Sequence, residues 1–196
     1  AFGQQPLSAG PSVNVATPSV GSNLTLPGTP KTIEDFNELT LRGSDLQPMK
    51  PLVAQVDTLP EFTRELVQVQ WRVGDPIDLY IIKPTGVKNP PVVVYLYGFP
   101  SDTDRFRNNA FCKLAVQGGF AAVGFVPSLT GHRYHDIPMR EWFVSRLQES
   151  LVSSTHDLQM VTNYLSTRGD LDVNRLGIFG QGAGATIALL ASTADQ

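Results

Sequence analysis

Cysteine is almost absent from this sequence. Cys112 stands alone, so neither an internal disulfide nor a cysteine-based zinc site can form. Charge is also sparse, at 17% of residues with a net of −3, which leaves no cluster of Lys and Arg to neutralise a phosphate backbone. A nucleic-acid partner is therefore not expected. No apolar run approaches the ~20 residues that cross a bilayer, so no membrane span is expected either. Residues 1–30 contain no Asp, Glu, Lys or Arg at all. They are dense in Ser, Thr and Gly, and Pro6, Pro11, Pro18, Pro27 and Pro30 remove the backbone donors that helices and ladders need. Residues 1–30 read as a flexible leader and residues 31–196 as the domain. The chain opens on Ala1 without a charged start or an apolar h-region. With the charge-free leader, this points to a secreted or periplasmic protein whose signal peptide has been removed. Asn23-Leu24-Thr25 matches a glycosylation sequon, a pattern too short to carry weight.

Apolar residues make up 41% of the chain, enough for one packed domain. Thr32 and Asp35 resemble a helix start ahead of Ile33, Phe36 and Leu39. Val67, Val69, Trp71 and Val73 alternate with polar residues as in a half-buried strand. Gly74-Asp75 supplies a turn, and Ile77, Leu79 and Ile81 begin an antiparallel return. From Pro90 the texture changes. Val92–Tyr97, Phe120–Val126 and Leu176–Phe179 are continuous apolar runs, as expected of strands covered on both faces. Helical patterns lie between and after them: Phe111, Leu114 and Ala115; then Leu147, Leu151, Leu158, Val161 and Leu165; then Ala183–Ala191. Three alternations of strand and helix predict parallel βαβ units.

The stretch "RLGIFGQGAGATIALLAS" runs from a strand to a helix through glycines, and two readings of it are open. Gly180, Gly182 and Ala185 fit a dinucleotide fingerprint, but that motif needs an acidic residue about 20 positions later, beyond Gln196. The other reading is a nucleophile elbow, G-x-nucleophile-x-G. Gly180 and Gly184 then take the flanking positions, Gly182 the nucleophile's, and the Ala183 N–H faces an oxyanion. "YGFPSDTDRFR" follows an earlier strand as the loop that gives the second oxyanion donor, with the Phe99 N–H the candidate.

With these motifs, Val67–Ala194 resembles the first half of an α/β-hydrolase of the dienelactone hydrolase and acetyl-xylan-esterase-like kind. The resemblance implies a three-layer α/β/α sandwich with a mostly parallel sheet, truncated after the elbow helix. It implies hydrolysis of a small carboxylic ester through an acyl-enzyme, without a cofactor. This sequence departs from the pattern at the decisive place, because Gly182 and Ala183 offer no nucleophile. In the order of that family the acid and the histidine follow the nucleophile, so none of His132, His135 or His156 can be the triad histidine. As written, serine-type hydrolysis is not expected. Three explanations stay open: a serine replaced at 183, a natural non-catalytic binding homologue, or a fragment completed by a C-terminal segment or second chain.

His132 and His135 have a spacing that a metal can use, but no third ligand accompanies them, so no metal is expected. In the resembled fold Gly98, Tyr134, His135 and Trp142 would lie near the pocket mouth. Asp102, Asp104, Arg105 and Arg107 read as surface ion pairs, and Cys112 as a small packed hydrophobe.

Overall fold

The computed structural model describes residues 36–98, 103–128, 133 and 143–194, all within the unit Asp35–Gln196. Six strands form one sheet: β1 (Leu52–Thr58), β2 (Phe62–Val69), β3 (Ile77–Pro84), β4 (Pro91–Leu96), β5 (Ala121–Phe125) and β6 (Asp172–Gly180). Their spatial order is β1-β2-β3-β5-β4-β6. The helices are α1 (Asp104–Arg107), α2 (Asn109–Val116), α3 (Phe143–Ser166) and α4 (Ala183–Ala194). Phe36–Leu39 makes a single 3-10 turn where the sequence predicts a helix start.

The sheet is not mostly parallel. β1–β2, β2–β3 and β3–β5 pair antiparallel, and only β4–β5 and β4–β6 pair parallel. The reason lies in the connections. A parallel pair needs a crossover of about a dozen residues or more. Residues 59–61, 70–76 and 85–90 are too few, so each of these links reverses the chain. Residues 97–120 and 126–171 are long enough to hold helices, and the strands they join run parallel. The βαβ expectation thus holds from β4 onward.

Helices cover both faces of the sheet. On one face, Leu158, Val161 and Leu165 of α3 and Ile187 of α4 close over Val67, Leu79, Ile81, Val94 and Val123. On the other, Phe106 of α1 and Cys112 and Val116 of α2 pack on Phe62, Tyr80 and Ala122. β5 is buried along its whole length, as its apolar run predicts. Gly124 within it leaves room for the Phe106 ring, which would collide with any side chain there. Asn108 starts α2 by accepting hydrogen bonds from the N–H groups of Ala110 at 2.8 Å and Phe111 at 3.2 Å.

Three local expectations are corrected. Leu114 is 69% exposed, and Cys112 and Val116 form the inward face of α2 instead. Val73 is 93% exposed because β2 ends at Val69 and the chain turns at Gly74, whose φ is 75°. β6 is not covered on both faces: Ile178 is 37% and Phe179 46% exposed. Its only partner among the described residues is β4, so apolar composition alone did not bury it.

A four-charge cluster ties β2 and β3 to the turn before β6. Lys83 Nζ lies 2.7 Å from Glu65 Oε1 and 2.6 Å from Asp170 Oδ2. Arg168 reaches Glu65 at 2.7 Å and Asp170 at 2.7 Å. The Arg168 hydrogen bond holds the Asp170 carboxyl well below its usual range. Burial works to raise Glu65, but its hydrogen bonds to Arg168 and Lys83 prevail and lower it. A carboxyl depressed in the folded state adds stability that is complete above its unfolded pKa and is lost as pH falls through the folded value. Urea midpoints are therefore expected to fall on acidification below the normal carboxylate range, ~4. The double change Glu65→Gln, Asp170→Asn should flatten that fall; an unchanged slope would refute the assignment.

Candidate functional site

The turn between β6 and α4 is built by three glycines with three different constraints. A Cβ on Gly180 would lie 2.5 Å from both the Ala185 Cα and the Gly184 carbonyl oxygen. A Cβ on Gly184 would collide with the Leu96 carbonyl oxygen at the end of β4. Both positions are closed to any other residue without backbone movement. Gly182, between them, has φ +59°, and a Cβ built on it meets nothing within 4 Å. It occupies the apex, in a conformation that L-residues adopt only at a cost and with open space beyond.

The apex is fixed from below and from the helix. Gln181 N–H donates to Leu96 O at 3.0 Å, locking the turn to the C-terminal end of β4. Gly182 O accepts from Ala185 N–H at 3.0 Å and Thr186 N–H at 3.4 Å, so Gly182 opens α4 in the N-cap position. Ala183 is then the first helical residue, and its N–H belongs to the set of donors with no intrahelical partner. Gly98, just past β4, faces the turn: a Cβ on it would stand 3.6 Å from Ala183 N and 3.8 Å from Ala183 Cβ. The structure thus brings together Gly98, Gly182 and Ala183. Phe99, Tyr134, His135 and Trp142 lie outside the described residues, as do His132 and Asp102.

The surroundings of Gly98 are aromatic. Tyr97 stacks with Tyr95 at 6.1 Å between centroids and tilts against Phe179 at 5.9 Å, while Arg105 stands 4.6 Å over the Tyr97 ring. Burial pushes the Tyr97 and Tyr95 phenols up, so both stay neutral across the physiological range. Arg105 is therefore engaged with an aromatic face, while the surface pair is Arg107 with Asp104 at 3.9 Å. Arg107 also donates to the Tyr80 hydroxyl at 2.9 Å. Cys112 is buried, its thiol raised by burial and donating to Phe106 O at 3.1 Å.

Sequence reasoning missed a buried polar cluster on the α3 side of the sheet. Asp157 is fully buried and accepts from Trp71 Nε1 at 2.7 Å and from Arg72. Arg133 Nη2 stands 2.8 Å from Asp157 Oδ2, as an ion pair rather than a well-directed hydrogen bond. Arg133 also binds Asp75 at 2.6 Å and Val126 O at 2.8 Å. The one available signal was Asp157 beside Leu158 on the apolar stripe of α3. His156, next to it, is half-buried, with Nε2 2.9 Å from Glu38 O. Among the described residues no group of three or more His, Cys, Asp or Glu is placed to hold a metal ion. No described helix is long and apolar enough to cross a membrane.

No family model matches the sequence, and no curated protein is similar to it. Solved structures are. Acetyl xylan esterase 1 from a Thermoanaerobacterium species superposes with a TM-score of 0.64 at 16% identity, over 83% of this chain and 55% of that one. The acetyl xylan esterase from Paenibacillus sp. R4 gives 0.57 at 19% identity, over 76% of this chain and 50% of that one. A glucuronoyl esterase from Solibacter usitatus gives 0.53 at 14% identity, over 84% and 56%. The chain thus spans about half the length of these enzymes. At these identities the likeness is one of fold: the chain shares the α/β-hydrolase fold of solved acetyl xylan esterases and related esterases.

Proposed function

We propose that this chain carries the elbow half of a serine-type carboxylic ester hydrolase site in which glycine stands in the nucleophile's place. One observation carries the reading. Gly182 sits at positive φ with free space ahead of it, between two glycines that cannot bear side chains. That is the geometry a nucleophile needs, kept where no nucleophile is present. The Ala183 N–H, with the Phe99 N–H as the proposed second donor, would hold a carbonyl oxygen. A serine there would add its Oγ to the carbonyl carbon, pass its proton to a base and expel the alcohol. Glycine can do none of these, so the site binds an acyl group without forming an acyl-enzyme. The edge of β6 away from β4 has no strand partner among the described residues, and it is where a further segment or a second chain would supply the acid and the base that the ester-hydrolase reading requires. Export is the compartment that the charge-free residues 1–30 fit.

Gly184 favours this reading over a dinucleotide site. The fingerprint needs glycines at 180 and 182 and a small residue at 185. The tightest steric demand falls instead on Gly184, the last glycine of the elbow pattern.

The test is Gly182→Ser and, separately, Ala183→Ser, each in the full-length protein. Gly182→Ser should hydrolyse p-nitrophenyl acetate where the parent does not, while Ala183→Ser should stay inert. Nucleophile removal in a well-studied protease costs about 10⁶ in turnover, so a correctly placed serine is expected to recover several decades. Two inert variants whose parent still binds acyl ligands would leave a dedicated binding module. Stabilisation of the parent by NAD would instead restore the dinucleotide reading.

A further inference from the structure

Arg64 of β2 has a side chain only 15% exposed, and every nitrogen of its guanidinium is engaged. Nε and Nη2 donate to Asp57 Oδ2 on β1, at 3.0 Å and 2.6 Å. Nη1 stands 3.1 Å from Phe106 O, 2.9 Å from Arg107 O and 3.2 Å from Asn109 Oδ1. One side of the fork therefore holds the edge strand, and the other holds the C-terminal end of α1. That helix needs such a hold. At four residues it is far shorter than a helix that stands by itself in water. Its last carbonyls have no partner within the helix, and a cation at that end complements the helix dipole. α1 in turn touches the end of β4. Arg105 lies 4.6 Å over the Tyr97 ring, and the Phe106 ring is 6.3 Å from it. Tyr97 precedes Gly98, the residue that faces Ala183 N.

We infer that Arg64 is a positioning residue for the oxyanion site. It fixes α1, and through α1 it fixes the end of β4 against the Ala183 N–H. This role rests on the proposed ester site and adds to it a residue that touches no ligand. Asp57 aims the guanidinium. Two other contacts keep α1 near the sheet when Arg64 is lost: the Arg107 bond to the Tyr80 hydroxyl at 2.9 Å and the Phe106 ring in its slot over Gly124. Removal should therefore displace α1 rather than unfold the sheet. Lysine cannot take the place of Arg64, because an ammonium has no planar fork to join a carboxylate to two carbonyls.

The test adds Arg64→Ala or Arg64→Lys to the full-length Gly182→Ser protein, with p-nitrophenyl acetate as substrate. Each should lower kcat by about 10- to 100-fold, the scale of a ~1 Å misplacement, with KM changed by less than about threefold. Millimolar guanidinium should restore part of the kcat of Arg64→Ala, and urea at the same concentration should not. The amides of Phe106 and Asn108 donate to Thr103 O and Arg105 O at 3.0 Å, and both should exchange faster while those of α3 do not. Arg64→Lys keeps the stem and the charge, so it serves where Arg64→Ala loses its Tm. An active Gly182→Ser protein whose kcat survives both changes overturns the role of Arg64 and leaves the ester site standing. A loss confined to KM, or equal acceleration of exchange in α3, also overturns it. If Gly182→Ser is itself inert, the ester site fails and this role fails with it.

Discussion

Gly184→Ala should destabilise the fold by about 3 kcal/mol or more, while Gly182→Ala, two residues away, should cost only about 1 kcal/mol. At 184 the added methyl meets the Leu96 carbonyl oxygen, which is backbone in a buried strand. Relief requires α4 to lift from β4 or β4 to bend, and either movement strains the Gln181 N–Leu96 O bond at 3.0 Å. At 182 the methyl enters open space, and only the positive φ resists it. Gly180→Ala belongs with 184, because its methyl meets the first turn of α4. Urea midpoints of the three variants are the measurement. Equal losses at 182 and 184 would mean that the apex is not the relaxed, outward point of the turn. The proposed ester-binding site would then lose its main support.

Asp157→Ala should cost about 3–5 kcal/mol, the penalty for breaking a buried ion pair by removing one partner. Asp157 is wholly buried, and the Arg133 side chain is 2% exposed. Truncation leaves the Trp71 indole N–H without its acceptor and Arg133 with Asp75 and Val126 O alone. Asp157→Asn should cost clearly less, since the amide oxygen can still accept from Trp71. Thermal unfolding of both variants, with Trp71 fluorescence as a local probe, gives the comparison. If alanine and asparagine cost the same, charge rather than hydrogen-bond acceptance dominates at this residue. If neither costs more than about 1 kcal/mol, the cluster contributes little to stability.

Much of this architecture was legible in the residues, for local reasons. The apolar run at 92–97 became β4, and the three- and four-residue spacing from Leu147 to Leu165 became α3. The Gly74 turn reversed β2 into β3. The glycine pattern around Gly182 was visible as a motif because the spacing of its glycines is local, although the contact that closes Gly184 comes from Leu96. Less legible were features set by distant partners. β6 has the same apolar texture as β5, yet β5 lies between two strands and β6 pairs with one. Leu114 fits the helical period as well as Cys112 does, and only the position of the sheet shows which of them faces inward. Arg133 reads as one more charge in a polar loop, although Asp75 and Asp157 bury it.

The sequence by itself determined most of the elements and the glycine turn, because backbone sterics and side-chain chemistry are properties of single residues and their neighbours. Only the tertiary structure decided what closes the position at Gly184, since that depends on the approach of β4, more than 80 residues earlier in the chain. The sheet's antiparallel majority and the buried Asp157 cluster were decided the same way. Strand partners and buried charges are chosen by what packs against them in space, and neither leaves a period in the sequence.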